Sequence, residues 1–212
     1  MVNQIKYTFS FTGASALIAE TLIIAEEYNQ LNNWTLVQKS LLQNNSLNKI
    51  KEGTFKREFS EIKKRLSNLT PEQLQIFNTG NYDDAKAIIL LSLVKTYPFL
   101  NDFIIEVVRN KYLLYDNFLS EVDYIKFVNA KSLIHEELNT ITDLTARKVK
   151  QVVFKLLEQT GLITQAKNGT IIKPYLSSNV VQAITDDNTT YLMSFLYTNM
   201  EIKGLSQKMN HA

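Results

Sequence analysis

Residues 144–176, LTARKVKQVVFKLLEQTGLITQAKNGTIIKPYL, contain the most specific secondary-structure signals in the chain. Apolar residues recur at helical spacing through residues 149–157, and Gly161 then supplies the residue type that most readily ends a helix in the left-handed conformation. The motif KNG at 167–169 lies between two short apolar runs, which is typical of a β-hairpin turn. The stretch therefore predicts a helix that leads directly into a small β-hairpin.

The side of this helix opposite its apolar stripe is cationic. Lysines also fall at the predicted hairpin turn and on its return strand. The candidate DNA-binding residues of this stretch are Arg147, Lys148, Gln151, Lys155, Lys167 and Lys173. A cationic helix followed by a cationic hairpin is the arrangement with which winged-helix proteins contact DNA, and we therefore predict a winged-helix-like segment at 142–176. Winged helices also serve as protein-docking modules, so that interpretation stays open.

A second helix with a cationic side is predicted at 54–67. Apolar residues from Phe55 to Leu66 lie within one arc of its helical wheel, and the adjacent arc is polar and cationic. That arc supplies the candidate DNA-binding residues Lys56, Arg57, Ser60, Lys63 and Lys64. With the preceding helix at 34–44 it predicts a helix-turn-helix-like element, although the turn is longer than usual. The alternative is a solvated lysine face on a surface helix.

The two helices lie in two basic islands of an otherwise acidic chain. The first basic island, residues 49–65, holds seven cations against three carboxylates, and the second basic island, residues 146–173, holds six against one. The remainder carries 10 cations and 17 carboxylates, within a net charge of +2. In the first island, Glu58, Glu61 and Arg65 are spaced to pair among themselves, which leaves the cationic arc uncompensated. Such asymmetry indicates local contact with a polyanion.

The rest of the chain predicts further helices, so the expected fold class is mainly α. We expect a compact helical bundle with helix-turn-helix-like elements and one small β-hairpin, divided into an N-terminal subdomain at 1–80 and a C-terminal subdomain at 81–212. Helices are predicted at 14–28 with Thr12 as the cap, from 70 to the break near Gly80, at 84–96, at 99–117, at 120–138 and at 189–200. The two helices within 84–117 are the most apolar, and we expect them to form the central scaffold.

Composition limits the cellular setting and the chemistry. The chain of 212 residues has no cysteine, so disulfides and thiolate metal sites are excluded. Its longest apolar run, AIILLSLV at 87–94, is far shorter than the roughly 20 residues of a membrane span, and the N-terminus does not resemble a signal peptide. We therefore expect a soluble, cytoplasmic protein with no membrane partner.

No pattern predicts an enzyme. His135 and His211 are the only histidines, and neither has a second histidine at ligand spacing. No glycine-rich phosphate loop and no nucleophile with a neighbouring base are present in the sequence. We expect a non-enzymatic protein without a cofactor, a metal or a small-molecule substrate.

Four stretches, which together cover much of the chain, resemble the BrxA family of BREX bacteriophage-defence systems. They are FTGASALIAETLIIAEEY at 11–28, TFKREFSEIKKRLSNLT at 54–70, KTYPFLNDFIIEVVRNKYL at 95–113 and DLTARKVKQVVFKLLEQTGLI at 143–163. The resemblance implies a small, mainly helical protein with a fold similar to the NusB antitermination factor, able to bind DNA and without an assigned enzymatic activity. Family members are often labelled inner-membrane proteins, and the short apolar runs argue against that label here.

Together these features predict a non-enzymatic, DNA-binding accessory protein of a BREX system. The expected partners are double-stranded DNA and other BREX proteins. Because lysine acts as a point charge suited to phosphates, we expect contact chiefly with the DNA backbone, with Arg57, Arg147 and Gln151 as the obvious base-reading residues. Two alternatives remain: a protein adaptor within the BREX complex, and an RNA-binding protein similar to NusB.

Overall fold

A computed structural model of the chain describes residues 5–47, 49 and 51–209, with side chains as far as residue 207. His211 therefore lies outside the described residues. The described chain is mainly helical with one small antiparallel sheet, as predicted. In chain order the elements are a 3₁₀ turn Ser10–Gly13, α1 Ile18–Leu31, α2 Trp34–Gln43, α3 Glu52–Leu66, α4 Pro71–Thr79, α5 Tyr82–Thr96, α6 Pro98–Phe103, a π-helical turn Ile104–Arg109, α7 Asn110–Leu113, β1 Phe118–Leu119, α8 Glu121–Lys131, α9 Glu137–Thr140, α10 Asp143–Gln159, β2 Gly169–Thr170, α11 Ser178–Asn188, a 3₁₀ turn Thr189–Phe195 and α12 Asn199–Met209.

The centre of the core is formed by α5 and the helix that follows it, as the apolar pattern predicts. Ten of the fifteen residues of α5 are buried, and Phe99, Leu100, Phe103 and Ile104 are fully buried in the next helix. The two helices, Tyr82–Thr96 and Pro98–Leu113, meet at 111°. Among the described residues, no single helix combines the length and the apolar character needed to cross a membrane.

One apolar cluster includes residues from both sides of position 80, among them Ile62 and Leu74 on one side and Ile88 and Val153 on the other. The burial of these side chains supplies the main stabilising free energy of the fold. The division into subdomains 1–80 and 81–212 stays a prediction.

Local capping signals fix several helix starts. Thr70 accepts from the backbone N–H of Gln73 while the Gln73 side chain accepts from the backbone N–H of Thr70, which forms a capping box at the start of the helix predicted from residue 70. Ser120 and Asp123 form the same reciprocal pair at the start of α8. These contacts satisfy N–H groups that a helix start leaves without partners.

Several predicted helix boundaries are wrong. The helix predicted at 99–117 ends at Leu113, and the helix predicted at 120–138 ends at Lys131, with α9 as a separate single turn. The first helix begins at Ile18 rather than at residue 14, because the carbonyls of residues 14–16 accept hydrogen bonds from a buried arginine and Leu17 takes a left-handed conformation with φ of 51°. Thr12 lies inside the 3₁₀ turn and bonds the carbonyl of Phe9 instead of capping a helix. At the other end, α11 was not predicted, and the helix predicted at 189–200 is instead a 3₁₀ turn, Thr189–Phe195, which Leu196, with φ of 63°, separates from the start of α12 at Asn199.

The predicted helix and hairpin are present. Gly161, with φ of 82°, ends α10, and the N–H groups of Gly161 and Leu162 bond the carbonyls of Glu158 and Leu157 at 3.1 and 2.9 Å. This pair of bonds is the Schellman arrangement, which satisfies the last carbonyls of a helix. Leu162 and Thr164 then pair with the returning strand through bonds of 2.9 and 3.0 Å.

A strand that the sequence pattern does not predict completes the sheet. β1 pairs antiparallel with β2, with Phe118 opposite Thr170 and Leu119 opposite Gly169. The hairpin's return segment therefore lies between its own first strand, through the bridge from Ile163 to Ile171, and β1. The resulting order is strand β1, helix α8, helix α10 and hairpin, with the single turn α9 between the helices.

The hairpin turn depends on Gly169, and we expect Gly169→Ala to destabilise the protein by about 1–3 kcal/mol. A Cβ at this position would lie 2.3 Å from the backbone oxygen of Gln165, so the turn would have to move. The change is measured as the free energy of unfolding in urea. Gly204→Ala is the matched control, because a Cβ there meets nothing within 4 Å inside α12, and alanine should add about 0.5–1 kcal/mol. Equal stability of the two variants would contradict this role for Gly169.

Candidate nucleic-acid interface

The cationic face of α3 forms one side of a surface concavity of about 870 Å³. All five candidate residues on α3 are exposed and line this concavity: Lys56, Arg57, Ser60, Lys63 and Lys64. The face is exposed because Phe55, Phe59, Ile62 and Leu66 occupy the buried side of the same helix, as the helical wheel predicts.

The N-terminal segment forms the other side of the concavity through Ser10, Gly13 and Ala14. The Nζ atom of Lys64 donates to the hydroxyl of Ser10 at 3.2 Å and lies 4.8 Å from the centre of the Tyr97 ring. Sequence reasoning missed these N-terminal residues because no local pattern brings a segment more than forty positions away against α3.

A buried polar network lies beneath the concavity. Arg65 is 2% exposed, and its Nε bonds a carboxylate oxygen of Glu61 at 2.9 Å, one turn back along the helix. The hydroxyl of Tyr97 donates to the same carboxylate oxygen. Burial, together with this hydrogen bond, raises the pKa of Tyr97 to about 12. Arg65 and Glu61 neutralise each other, so together they add no net charge to the concavity, which Glu61 also lines.

Ion pairs compensate part of the first basic island. Lys49 lies 2.8 Å from Glu20 and 2.9 Å from Glu58, and these hydrogen bonds raise the pKa of Lys49. Lys56 lies 2.7 Å from Glu52 at the exposed start of the helix. The predicted pairing of Glu61 with Arg65 is confirmed, whereas Glu58 pairs with Lys49. Among the described residues, Lys51, Arg57, Lys63 and Lys64 have no carboxylate within ion-pair distance.

The second basic island presents its candidate residues on α10 and at the hairpin turn. Val149, Val152, Val153 and Leu157 are buried, and the opposite face is exposed. The exposed candidates of this island are Arg147, Lys148, Gln151, Lys155 and Lys167. In the described part of the chain, none of their charged groups is within ion-pair distance of a carboxylate.

Lys173 occupies a different setting from the other candidates. Its Nζ atom lies 2.6 Å from Glu201 and 4.2 Å from the centre of the Tyr197 ring. Lys150, on the same basic island, pairs with Glu121 of α8. Because Glu201 of α12 neutralises Lys173, this lysine is a weaker candidate for contact with a phosphate than the lysines that have no ion-pair partner.

The residues that could suggest metal or acid–base chemistry are used in packing. His135 is 6% exposed, stacks on Tyr7 with ring centres 3.6 Å apart, and its Nδ1 lies 3.0 Å from a carboxylate oxygen of Glu137. Within the described residues, no three His, Asp or Glu side chains are grouped so that they could hold a metal ion.

Fold and surface together define a class: a small, mainly helical protein with two exposed cationic helix faces, one of them bordering a concavity of about 870 Å³. A family model described as BrxA matches residues 5–188. The chain belongs to the BrxA family, as the sequence resemblance predicted.

Three relatives carry the name BREX protein BrxA. The protein from Bacillus cereus strain H3081.97 is 30% identical over 126 residues, which are 59% of this chain and 63% of that protein, so the match spans less than two thirds of its length. The protein from Paramagnetospirillum magneticum strain AMB-1 is 24% identical over 89% of this chain and 94% of its own length. The protein from Escherichia coli O9:H4 strain HS is 22% identical over 82% of each chain.

A solved structure shares the fold. The crystal structure of an uncharacterized protein from Magnetospirillum magneticum superposes with a TM-score of 0.74 at 21% sequence identity. The superposition covers 91% of this chain and 98% of that one.

Proposed function

We propose that this protein is a non-enzymatic DNA-binding component of a BREX system, and that the cationic faces of α3 and α10 bind the phosphate backbone of duplex DNA. The observation that carries this proposal is the position of the candidate residues: the five on α3 line one concavity, while the exposed candidates on α10 and its hairpin have no neutralising carboxylate in the described chain. Uncompensated surface cations raise the local concentration of a polyanion and release its counterions on binding.

Membership of the BrxA family supports the place of the chain in a BREX system, because the three relatives are all named as BREX proteins. Other BREX proteins are therefore proposed as further partners. The order of β1, α8, α10 and hairpin also favours the winged-helix-like interpretation of residues 142–176, because it adds a strand that braces the hairpin behind the cationic helix.

The residue types on both faces favour backbone contact over base reading. Lysine is the main cation, and only Arg57, Arg147 and Gln151 offer the paired donors or acceptors that distinguish base edges. We propose weak sequence preference, in which the protein discriminates between DNA sites by less than about a thousandfold, the low end for specific regulators.

A salt titration tests the proposal. We expect log K for an arbitrary duplex to fall with log salt at a slope of roughly −4 to −5, because each phosphate neutralised contributes about −0.9 and the two faces supply four to six contacts. Fluorescence anisotropy with labelled duplex DNA, single-stranded DNA and RNA of equal length gives the slope and the preferred ligand. Tighter binding to RNA than to DNA would support the NusB-like alternative. If the protein binds no nucleic acid, the protein-adaptor alternative is favoured.

A further inference from the structure

The N-terminal segment at residues 7–16, here called the strap, is bonded to both helices that carry the proposed DNA contacts. Arg65 of α3 donates to the carbonyl oxygens of Ser15 at 3.0 Å, Ala16 at 3.4 Å and Ala14 at 3.5 Å. From the other side, the backbone N–H of Ala16 donates to the Oε1 atom of Gln159 in α10 at 3.0 Å. The buried residue Ala16 therefore bonds α3 through its carbonyl oxygen and α10 through its N–H group.

These anchors lie next to the proposed DNA-contacting side chains. Arg65 directly follows Lys64, and Gln159 lies one helical turn after Lys155. The 3₁₀ turn of the strap also packs against α10 and lines the concavity with α3. A shift of the strap would therefore move both basic faces relative to each other.

The other end of the strap is held firmly. The backbone N–H of Tyr7 donates to Glu137 at 2.5 Å, and its hydroxyl donates to Asp102 at 2.6 Å. Phe11 is fully buried and lies edge-on to Tyr97, with ring centres 5.1 Å apart. A strap fixed at both ends and in its middle behaves as part of the rigid core.

We propose that the strap holds the faces of α3 and α10 as one rigid surface that contacts a single duplex, and that Arg65 and Gln159 are positioning residues for this binding. The inference rests on the proposed function and deepens it, because it requires both basic islands to act together. If the two faces act independently, a long and a short duplex make the same number of phosphate contacts with the protein. If they form one rigid surface, a duplex long enough to reach both faces makes more contacts than a short one.

Gln159 is the better residue for the test, since Arg65 is buried and its replacement would also affect folding. Gln159→Met keeps the length of the side chain and removes the acceptor for Ala16. Gln159→Glu keeps an acceptor. Gln75→Met, on the exposed side of α4, is the matched control because its side chain contacts neither the strap nor either basic face.

Affinity and salt slope are measured by fluorescence anisotropy for duplexes of about 20 and about 8 base pairs, roughly two turns and less than one turn of DNA. For Gln159→Met we expect, in about 0.1 M salt, about a hundredfold weaker binding of the long duplex and a slope shallower by about 2, as the loss of two phosphate contacts would give, with the short duplex unaffected. Because Gln159→Glu keeps an acceptor for Ala16, its salt slope should be only about one unit shallower than that of the parent protein. The added negative charge accounts for this remaining difference. Gln75→Met should match the parent protein on both duplexes.

Each other result overturns the positioning role. A Gln159→Met protein with the parent's long-duplex affinity and slope would show that the strap does not couple the faces. Equal weakening on both duplexes, together with a lower melting temperature, would show a purely structural role. Failure of the parent protein to bind either duplex would instead refute the proposed function, and with it the inference.

Discussion

Reversing two charges on either cationic face is expected to weaken binding to duplex DNA about a hundredfold in about 0.1 M salt. The variants are Lys63→Glu with Lys64→Glu on α3, and Arg147→Glu with Lys148→Glu on α10. Each phosphate contact contributes about 0.9 to the salt slope, so the loss of two contacts lowers the binding constant by nearly two powers of ten at that salt concentration. The new carboxylates also repel the phosphates of the DNA backbone. All four side chains are exposed, so the fold should not change.

The control for these variants changes the same amount of charge elsewhere. Lys126→Glu with Lys203→Glu alters two exposed lysines on α8 and α12, and we expect only a small general loss of affinity from the lower net charge. The measurement is fluorescence anisotropy, with circular dichroism to verify the fold. If one double variant on a basic face binds no worse than this control, that face does not contact DNA, and the adaptor interpretation applies to it.

Replacing Arg65 with leucine is expected to cost about 3–5 kcal/mol of unfolding free energy. The change leaves the Glu61 carboxylate, whose side chain is 10% exposed, without its ion-pair partner. It also removes the donor for three carbonyls of the strap. An uncompensated buried charge and unsatisfied buried carbonyls are among the few single-residue defects of this size.

Urea denaturation measures the effect of Arg65→Leu, and Arg57→Leu is its control on the same helix. Arg57 is exposed, so its replacement should change the free energy of unfolding by no more than about 0.5 kcal/mol. In thermal melts the Arg65 variant should unfold about 10 °C earlier than the control, given the few degrees per kcal/mol typical of a chain this size. Melting curves that coincide would show that the network around Arg65 does not stabilise the fold.

Signals confined to a few neighbouring residues could be predicted from the sequence. The Thr70 and Gln73 capping box, the helix end at Gly161 and the positive φ of Asn168 in the hairpin turn depend only on adjacent residues, and all three are present. The cationic arc of α3 was predictable for the same reason. Helical periodicity alone places Ile62 on the buried side of the helix and Lys63 on the exposed side.

Features that depend on distant parts of the chain were not predictable. Residues 14–16 have a helical pattern, but bonds from Arg65 hold their carbonyls, and this tertiary contact overrides the local preference. Helix α11 was missed because its second half is polar, and its stability comes from the packing of Val180 and Ile184 and from the bond of Gln73 to Ala183. The neutralisation of Lys173 depends on Glu201, 28 positions away.

The brace that β1 provides has a consequence for how the protein is made. β1 and β2 are separated by about 50 residues, so their pairing closes a long loop whose entropic cost must be met by the packing of α8 and α10 in between. During synthesis on the ribosome, β1 emerges first and stays without its partner until residue 170 has followed. The hairpin and its brace therefore form only after translation has passed α10, and a nascent chain that stops short of this point lacks the braced hairpin.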